Sequence, residues 1–153
     1  MRLSKFLRSD FVLSRLEARD VDGVVRELSG RAASVGVAPE ELVAEKLLER
    51  ERSHSTVMGS GLAIPHATVP GLAAPVIGVA LAREPVAFGP AGTDPVRVFV
   101  VVLSPPGAES EHVKILARIC RLMRHPDFID RLEAAEGDLG VIQVIESIDA
   151  QHA

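Results

Sequence analysis

His66 follows Pro65 at the end of the apolar run GLAIP, with Gly59 and Gly61 before it and Gly71 after it. Proline fixes its own φ and pushes the preceding Ile64 toward an extended conformation, so the backbone entering His66 has few alternatives and the imidazole is aimed. Glycines at these positions allow a loop to bring backbone N–H groups close to an anion carried by that ring. Arg50 stands sixteen residues upstream, at the end of one helical pattern, and His112 forty-six downstream, at the opening of another. A neutral ring nitrogen that attacks, a permanent cation and a second imidazole are together what covalent phosphate chemistry requires.

Other residues have weaker claims. Thr56 has a hydroxyl to offer a phosphate or the ring, and is equally a β-branched strand residue packed in a sheet. His112 at a helix start feels unsatisfied N–H groups that discourage its protonation, or is simply a capping or half-buried histidine. Glu51 is expected to pair with a cation or to cap structure. His54 lies in the charged stretch ERERSHS, His125 precedes Pro126 in a turn, and His152 belongs to the C-terminal tail. Cys120 sits on an apolar helix face with nothing nearby in sequence to lower its thiol pKa, so it reads as a small core residue. A competing reading makes His66, His112 and His54 ligands of zinc or nickel. It lacks an H-E-x-x-H or a comparable pair at helical spacing, and Arg50 would repel the cation.

The elements that must position these groups follow from periodicity. Asp20 caps a helix carrying Val21, Val24, Val25 and Leu28 on one face, stopped by Gly36. Pro39 is expected at the first helical position of a second helix, with Leu42, Val43 and Leu47 at helical spacing and Arg50 and Arg52 in its last turn. The stretch from Thr56 to Ile64 is short, apolar and punctuated by glycine, which predicts one or two strands. VIGVALA (76–82) and VRVFVVVL (96–103) read as strands, the second buried on both faces. After SPPG a long, largely buried helix is expected from residue 109 or 110 through Arg124, then a helix after Pro126 and a last one through VIQVIESIDA. Helices first, strands in the middle and helices last predict an α/β fold, a mixed central sheet sandwiched by helices on both faces.

The chain has 153 residues, 47% of them hydrophobic and 25% charged, which suits one globular domain over 1–153. Its formal charge is −4, from 17 Lys and Arg against 21 Asp and Glu, with no basic block to neutralise nucleic-acid phosphates. The longest apolar stretch, Val98 to Leu103, is far shorter than the roughly 20 residues a spanning helix needs. The N-terminus lacks a signal-peptide core, so a cytoplasmic location is expected. A single cysteine excludes an internal disulfide.

Three pieces of sequence together resemble a known family: R-E-x-x-x-S-T (Arg50, Glu51, Ser55, Thr56), G-x-G-L-A-I-P-H (Gly59 to His66) and H-V-x-x-L-A (His112 to Ala117). They are similar to the mannitol- and fructose-type enzyme IIA domain of the bacterial phosphoenolpyruvate-dependent phosphotransferase system, over essentially the whole chain. The resemblance implies a phosphoryl carrier without metal or organic cofactor, in which Nε2 of His66 accepts the group from the phosphohistidine of HPr or a paralogue. It implies that Nδ1 of His66 is held by a carbonyl and that Arg50 and His112 lie beside His66; Thr56, Gly59 and Gly61 are expected, from their own chemistry, to support the phosphate. An apolar rim for docking proteins is expected from Val57, Leu62, Ile64, Val69 and Leu72. The N-terminal LSKFL…VLSRLEARDVDGVVREL looks like the nitrogen-regulatory branch, in which phosphorylation alters protein binding. The alternative is a sugar-specific IIA component that donates to a separate IIB domain.

Overall fold

A computed structural model describes residues 1–152. A single 3₁₀ turn at Leu3–Lys5 leads into β1 (Leu7–Leu16), then α1 (Val21–Ser34) and α2 (Glu40–Ser53). The middle of the chain supplies β2 (Val57–Gly59), β3 (Leu62–Ala63), β4 (His66–Thr68), β5 (Val76–Val86) and β6 (Val96–Ser104). Three helices close it: α3 (Glu109–Leu122), α4 (Phe128–Ala134) and α5 (Gly137–Gln151). The strands form one mixed sheet in the order β1-β5-β6-β3-β2, with β4 also paired to β6. β5 runs antiparallel to β6, whereas β1 on β5 and β3 and β4 on β6 are parallel.

Side-chain alternation along the strands decides the layers. Phe99, Val101 and Leu103 of β6 pack with Val24, Val25, Leu28, Val43 and Leu47 from α1 and α2. Val98, Val100 and Val102, between them, pack with Ile115, Ile119, Ile145 and Ile148 from α3 and α5. The sheet is therefore a filled sandwich, and β6 is buried on both faces as its valine run predicts. The order of elements differs from expectation at one place: β1 precedes the helices. Its contiguous Phe11, Val12 and Leu13 divide between the two cores, and parallel pairing to β5, far along the chain, is what makes the segment a strand.

Two local details bear on the site. Asp20 caps α1, its Oδ1 accepting from the Gly23 N–H at 2.7 Å, but Pro39 is the residue before α2 (φ −60°, ψ 138°) and not its first helical residue. The chain from Leu62 to Thr68 runs in unbroken register beside β6, with Leu62 opposite Val98, His66 opposite Val102 and Thr68 opposite Ser104. Pro65 interrupts the ladder because it has no N–H to give, although its carbonyl still accepts from the Val102 N–H at 3.0 Å. So the segment expected to be a loop after Pro65 begins instead with the short strand β4.

α3 is tied down from behind. Arg118, 5% exposed, donates from Nε and Nη2 to Oδ1 of the fully buried Asp149 at 3.2 and 2.9 Å, from Nη2 to the Asp149 carbonyl at 2.8 Å, and from Nη1 to the His152 carbonyl. The Ser4 N–H donates to Asp149 Oδ2 at 3.1 Å, so one carboxylate joins the N-terminal turn, α3 and α5. The helix itself stops at Leu122, where tighter turn bonds from Arg124 to Arg121 and from His125 to Leu122 replace the expected continuation. Among the described residues no helix is long and apolar enough to cross a membrane.

Burial pushes the Asp149 carboxyl pKa up, but the N–H groups of Ser4 and Leu3 together with Arg118 outweigh it, and the net direction is down. A depressed carboxyl stabilises the fold above its unfolded pKa of about 3.9 and loses that contribution as pH falls below it. Asp149→Ala leaves the guanidinium buried and unpaired, and is expected to cost about 3–5 kcal/mol, read as a lowered urea midpoint at neutral pH.

Candidate functional site

Ala67 is buried in the core under α1 and α2, so its neighbours His66 and Thr68 turn their side chains to the opposite face, where α3 lies. Nδ1 of His66 is 2.7 Å from the carbonyl oxygen of Ile64. A carbonyl only accepts, so Nδ1 carries the hydrogen and Nε2 keeps an uncommitted lone pair. Local sheet structure leaves that carbonyl free. Ile64 gives its own N–H to the Thr56 carbonyl at 3.0 Å, and the residues before Thr56 turn away into α2.

His112 occupies the first turn of α3, just beyond the Pro105–Gly107 turn that ends β6. Its ring lies 5.3 Å from that of His66, centroid to centroid, with the planes inclined at 52°. Its Nδ1 is 2.6 Å from Oγ of Ser104, the last residue of β6, which is 1% exposed. Both rings are half-buried, and both hold their protons less tightly than a free imidazole. For His66 burial is the main cause, opposed by the hydrogen bond to Ile64, lowered again by Arg50 and raised slightly by Glu51. For His112 burial again leads, followed by the neighbouring His66 and Arg50. The expected direction for His112 holds, but burial drives it and not a helix terminus; its own N–H already donates to the Ala108 carbonyl at 2.9 Å.

Arg50, in the last turn of α2, donates from Nη1 to the His54 carbonyl at 2.9 Å. Among the described residues no carboxylate lies within ion-pair distance of it, so its charge is not neutralised by a partner. It lines a cleft of about 320 Å³ with Lys46, Glu49, Ser53, Ala67 and Thr68 at the edge of β4. The fold thus brings Arg50, His66 and His112 to one place.

Several expected residues are placed otherwise. Thr56, 4% exposed, donates its hydroxyl to Glu51 Oε1 at 2.6 Å and its N–H to Oε2 at 2.7 Å, so its hydroxyl proton is already used and Glu51 clamps the turn out of α2. Gly59 and Gly61 (φ 86° and 89°), with Ser60 between them (φ 55°), form the tight turn between β2 and β3. The Gly61 carbonyl accepts from the N–H groups of Arg97 and Val98. Val98 lies four residues along β6 from Val102, opposite His66, a separation of about 13 Å at strand spacing. These glycines shape a turn and do not cradle an anion on His66. Leu62, Ile64 and Val69 are buried and cannot line a docking rim, while Val57 and Leu72 are half-buried against the core.

The exposed apolar side chain next to His112 along α3 is instead Val113, 63% exposed, with half-buried Leu116 one turn further along the helix. Ser104 is the functional candidate that sequence reasoning missed. Its only signal was a polar residue ending an otherwise apolar strand. His54 is exposed and lies beside Ser53, and the His125 ring is near His152 beyond the far end of α3. Among the described residues no three His, Cys, Asp or Glu side chains are grouped to hold a metal ion. Cys120 packs half-buried against the core under α3.

One imidazole fixed in its tautomer, a second imidazole beside it and an arginine without a carboxylate partner, set on a sheet sandwich, have the chemistry of a phosphoryl carrier. The family model for the "Phosphoenolpyruvate-dependent sugar phosphotransferase system, EIIA 2" matches residues 5–148, and the chain belongs to this family. A nitrogen regulatory protein of Bradyrhizobium diazoefficiens is 32% identical over 146 residues, 95% of each chain. The crystal structure of nitrogen regulatory protein IIA-Ntr from Neisseria meningitidis superposes with a TM-score of 0.85 at 22% identity, covering 94% of this chain and 98% of that one. Enzyme IIA of the Escherichia coli mannitol system, solved in complex with phosphorylated enzyme IIB, has a TM-score of 0.78 at 17% identity, covering 93% and 99%. Within the family, these findings support a phosphoryl carrier of the nitrogen-regulatory type.

In the unfolded chain the two imidazoles titrate near about 6.5, so the unfolded state takes up more protons as pH falls through that value and the fold loses stability there. Side-chain NMR titration should find both His66 and His112 titrating below 6.5. Arg50→Gln removes a cation that disfavours the imidazolium, and is expected to move both upward. An unchanged pair in that variant would show that the guanidinium does not act on the rings.

Proposed function

We propose that His66 is the residue that carries the phosphoryl group, received through Nε2 from the phosphohistidine of an HPr-like carrier in the cytoplasm, with residues 1–153 acting as one domain. The observation that carries this reading is the 2.7 Å contact from Nδ1 to the Ile64 carbonyl, which leaves Nε2 as the free lone pair. That lone pair attacks phosphorus as the donor's N–P bond breaks, and the bonding pair returns to the donor ring. No metal or organic cofactor takes part in the step. The transition state is loose, with charge spread over three oxygens, so the chain's contribution is placement and electrostatics.

Arg50 supplies the fixed cation, each charge-assisted hydrogen bond contributing about 1.5–3 kcal/mol. His112, held neutral by burial, sits beside the acceptor without the repulsion a second ion would bring to Arg50. Apolar Val113 and Leu116 follow His112 along α3 and offer a surface on which a carrier can set its own phosphohistidine in line. The phosphoryl group then either serves as a signal that changes protein binding, as the nitrogen-regulatory relatives suggest, or passes to a IIB domain. The fold likeness to a IIA domain captured with its IIB keeps the second outlet in view.

Labelling with phosphorylated HPr should give incorporation in the wild type and none in His66→Ala; retained label in that variant removes His66 from the role. Arg50→Gln should slow incorporation by about 10²-fold, the cost of losing one preorganised donor, with an unchanged melting temperature. Val113→Asp should weaken encounter with the donor, raising KM and sparing kcat. Rapid loss of label to a sugar-specific IIB domain would assign the chain to transport, and stability of the label with phosphorylation-dependent capture of a defined protein would assign it to regulation.

A further inference from the structure

We propose that Ser104 is a positioning residue that fixes His112 as a neutral donor through Nε2, so that the two facing imidazoles are held in opposite tautomers. The inference deepens the reading of His66 as phosphoryl acceptor, but its structural half stands on the unphosphorylated chain.

Ser104 Oγ and His112 Nδ1 are 2.6 Å apart, and two arrangements fit that distance. In one, the imidazole Nδ1–H donates and the hydroxyl oxygen accepts. The hydroxyl proton then needs an acceptor of its own, and among the described residues His112 is the sole hydrogen-bond partner of Ser104 Oγ. A hydroxyl proton stranded in a side chain that is 1% exposed costs about 1–3 kcal/mol. In the other arrangement the hydroxyl donates to an unprotonated Nδ1, and no polar hydrogen is stranded. The second arrangement is favoured by roughly one to two orders of magnitude, since about 1.4 kcal/mol is a factor of ten. It leaves the hydrogen of neutral His112 on Nε2, on the part of the ring turned away from Ser104.

The groups that bear on His112 agree with this. His66 and Arg50 both disfavour an added proton on it, as does burial, so the imidazolium, which would protonate both nitrogens, is not the resting form. His66 is the mirror case: its Nδ1 faces a carbonyl, which can only accept. A hydroxyl and a carbonyl therefore sort two adjacent rings into a lone-pair donor and a proton donor. His66 Nε2 is free to attack phosphorus, and His112 Nε2–H is free to meet a developing phosphoryl oxygen without adding a charge that competes with Arg50.

The backbone holds Ser104 for this role. It is the last residue of β6, opposite Thr68, its carbonyl accepts from the Val69 N–H at 2.8 Å, and Pro105 follows it. A residue before proline is restricted to extended conformations, so the hydroxyl has little backbone freedom. The buried Arg118–Asp149 pair anchors the same helix six residues beyond His112. Strand and helix are thus each fixed, and the hydrogen bond spans them.

Long-range ¹H–¹⁵N NMR on the unphosphorylated wild type at pH 7.5 reads each ring's tautomer directly. We expect His66 in the Nδ1–H form and His112 predominantly in the Nε2–H form. Ser104→Ala should mix the two forms of His112 and slow phosphate incorporation from phosphorylated HPr by about tenfold, whereas Ser104→Thr, which restores a hydroxyl, should recover both. A wild-type His112 in the Nδ1–H form overturns the proposal, as does a Ser104→Ala protein whose His112 tautomer and transfer rate match the wild type. If Ser104→Ala fails to fold, the wild-type spectrum alone decides. Absence of label on wild-type His66 would instead remove the phosphoryl-acceptor reading and leave the tautomer assignment in place.

Discussion

The hydrogen bond from His66 Nδ1 to the Ile64 carbonyl is the contact on which the site depends. Its net worth to stability is modest, about 0.5–1.5 kcal/mol, but its chemical effect is categorical, because it decides which ring nitrogen has a lone pair. Three features of the chain converge on it. Pro65 stiffens the step between donor and acceptor, β2 begins only at Val57 and so leaves the Ile64 carbonyl without a strand partner, and pairing of His66 with Val102 holds the backbone in register. The missing N–H of proline costs one ladder bond and leaves the register unchanged.

Electrostatics at the site rests on an imbalance. Several surface arginines of this protein have acidic partners, among them Arg8 with Asp10, Arg26 with Glu41 and Arg97 with Glu133. Arg50 has only a carbonyl: of the two acids flanking it in sequence, Glu51 spends both oxygens on Thr56, and Glu49, which lines the same cleft, forms no ion pair with it. At about 4 Å a pair of unit charges is worth about 1 kcal/mol in water and about 4 kcal/mol at an effective dielectric of 20. A half-buried arginine without a carboxylate therefore retains most of its attraction for an incoming dianion. On the proposed reading of His66 as phosphoryl acceptor, keeping both imidazoles neutral preserves that attraction together with the attacking lone pair.

The scaffold converts these local devices into a fixed constellation. α2 lies over one face of the sheet and α3 over the other, so Arg50 and His112 approach the free edge of β4 from opposite sides. Neither helix can shift easily, α2 because Val43 and Leu47 are buried against β6, α3 because Ile115 and Ile119 are buried on its other face and Arg118 is locked to Asp149. Loss of any of these contacts would move Arg50 or His112 by changing the seat of a whole helix.

By itself, the sequence determined the pieces: a capped, glycine-stopped helix and a second one of helical period, a doubly buried valine strand, a proline-stiffened histidine and the motif set that marks the family. These are local properties, set by φ restriction, side-chain period and residue chemistry, and they are legible because each acts within a few residues. Tertiary structure decided what the pieces meet. It made residues 7–16 a strand by pairing them with β5, sent Gly59 and Gly61 to the far end of β6, spent the Thr56 hydroxyl on Glu51, buried Leu62, Ile64 and Val69, and brought Ser104 against His112. Those outcomes depend on which distant segments lie side by side, and a linear pattern records a hydroxyl or an apolar surface without recording the partner that will use it up.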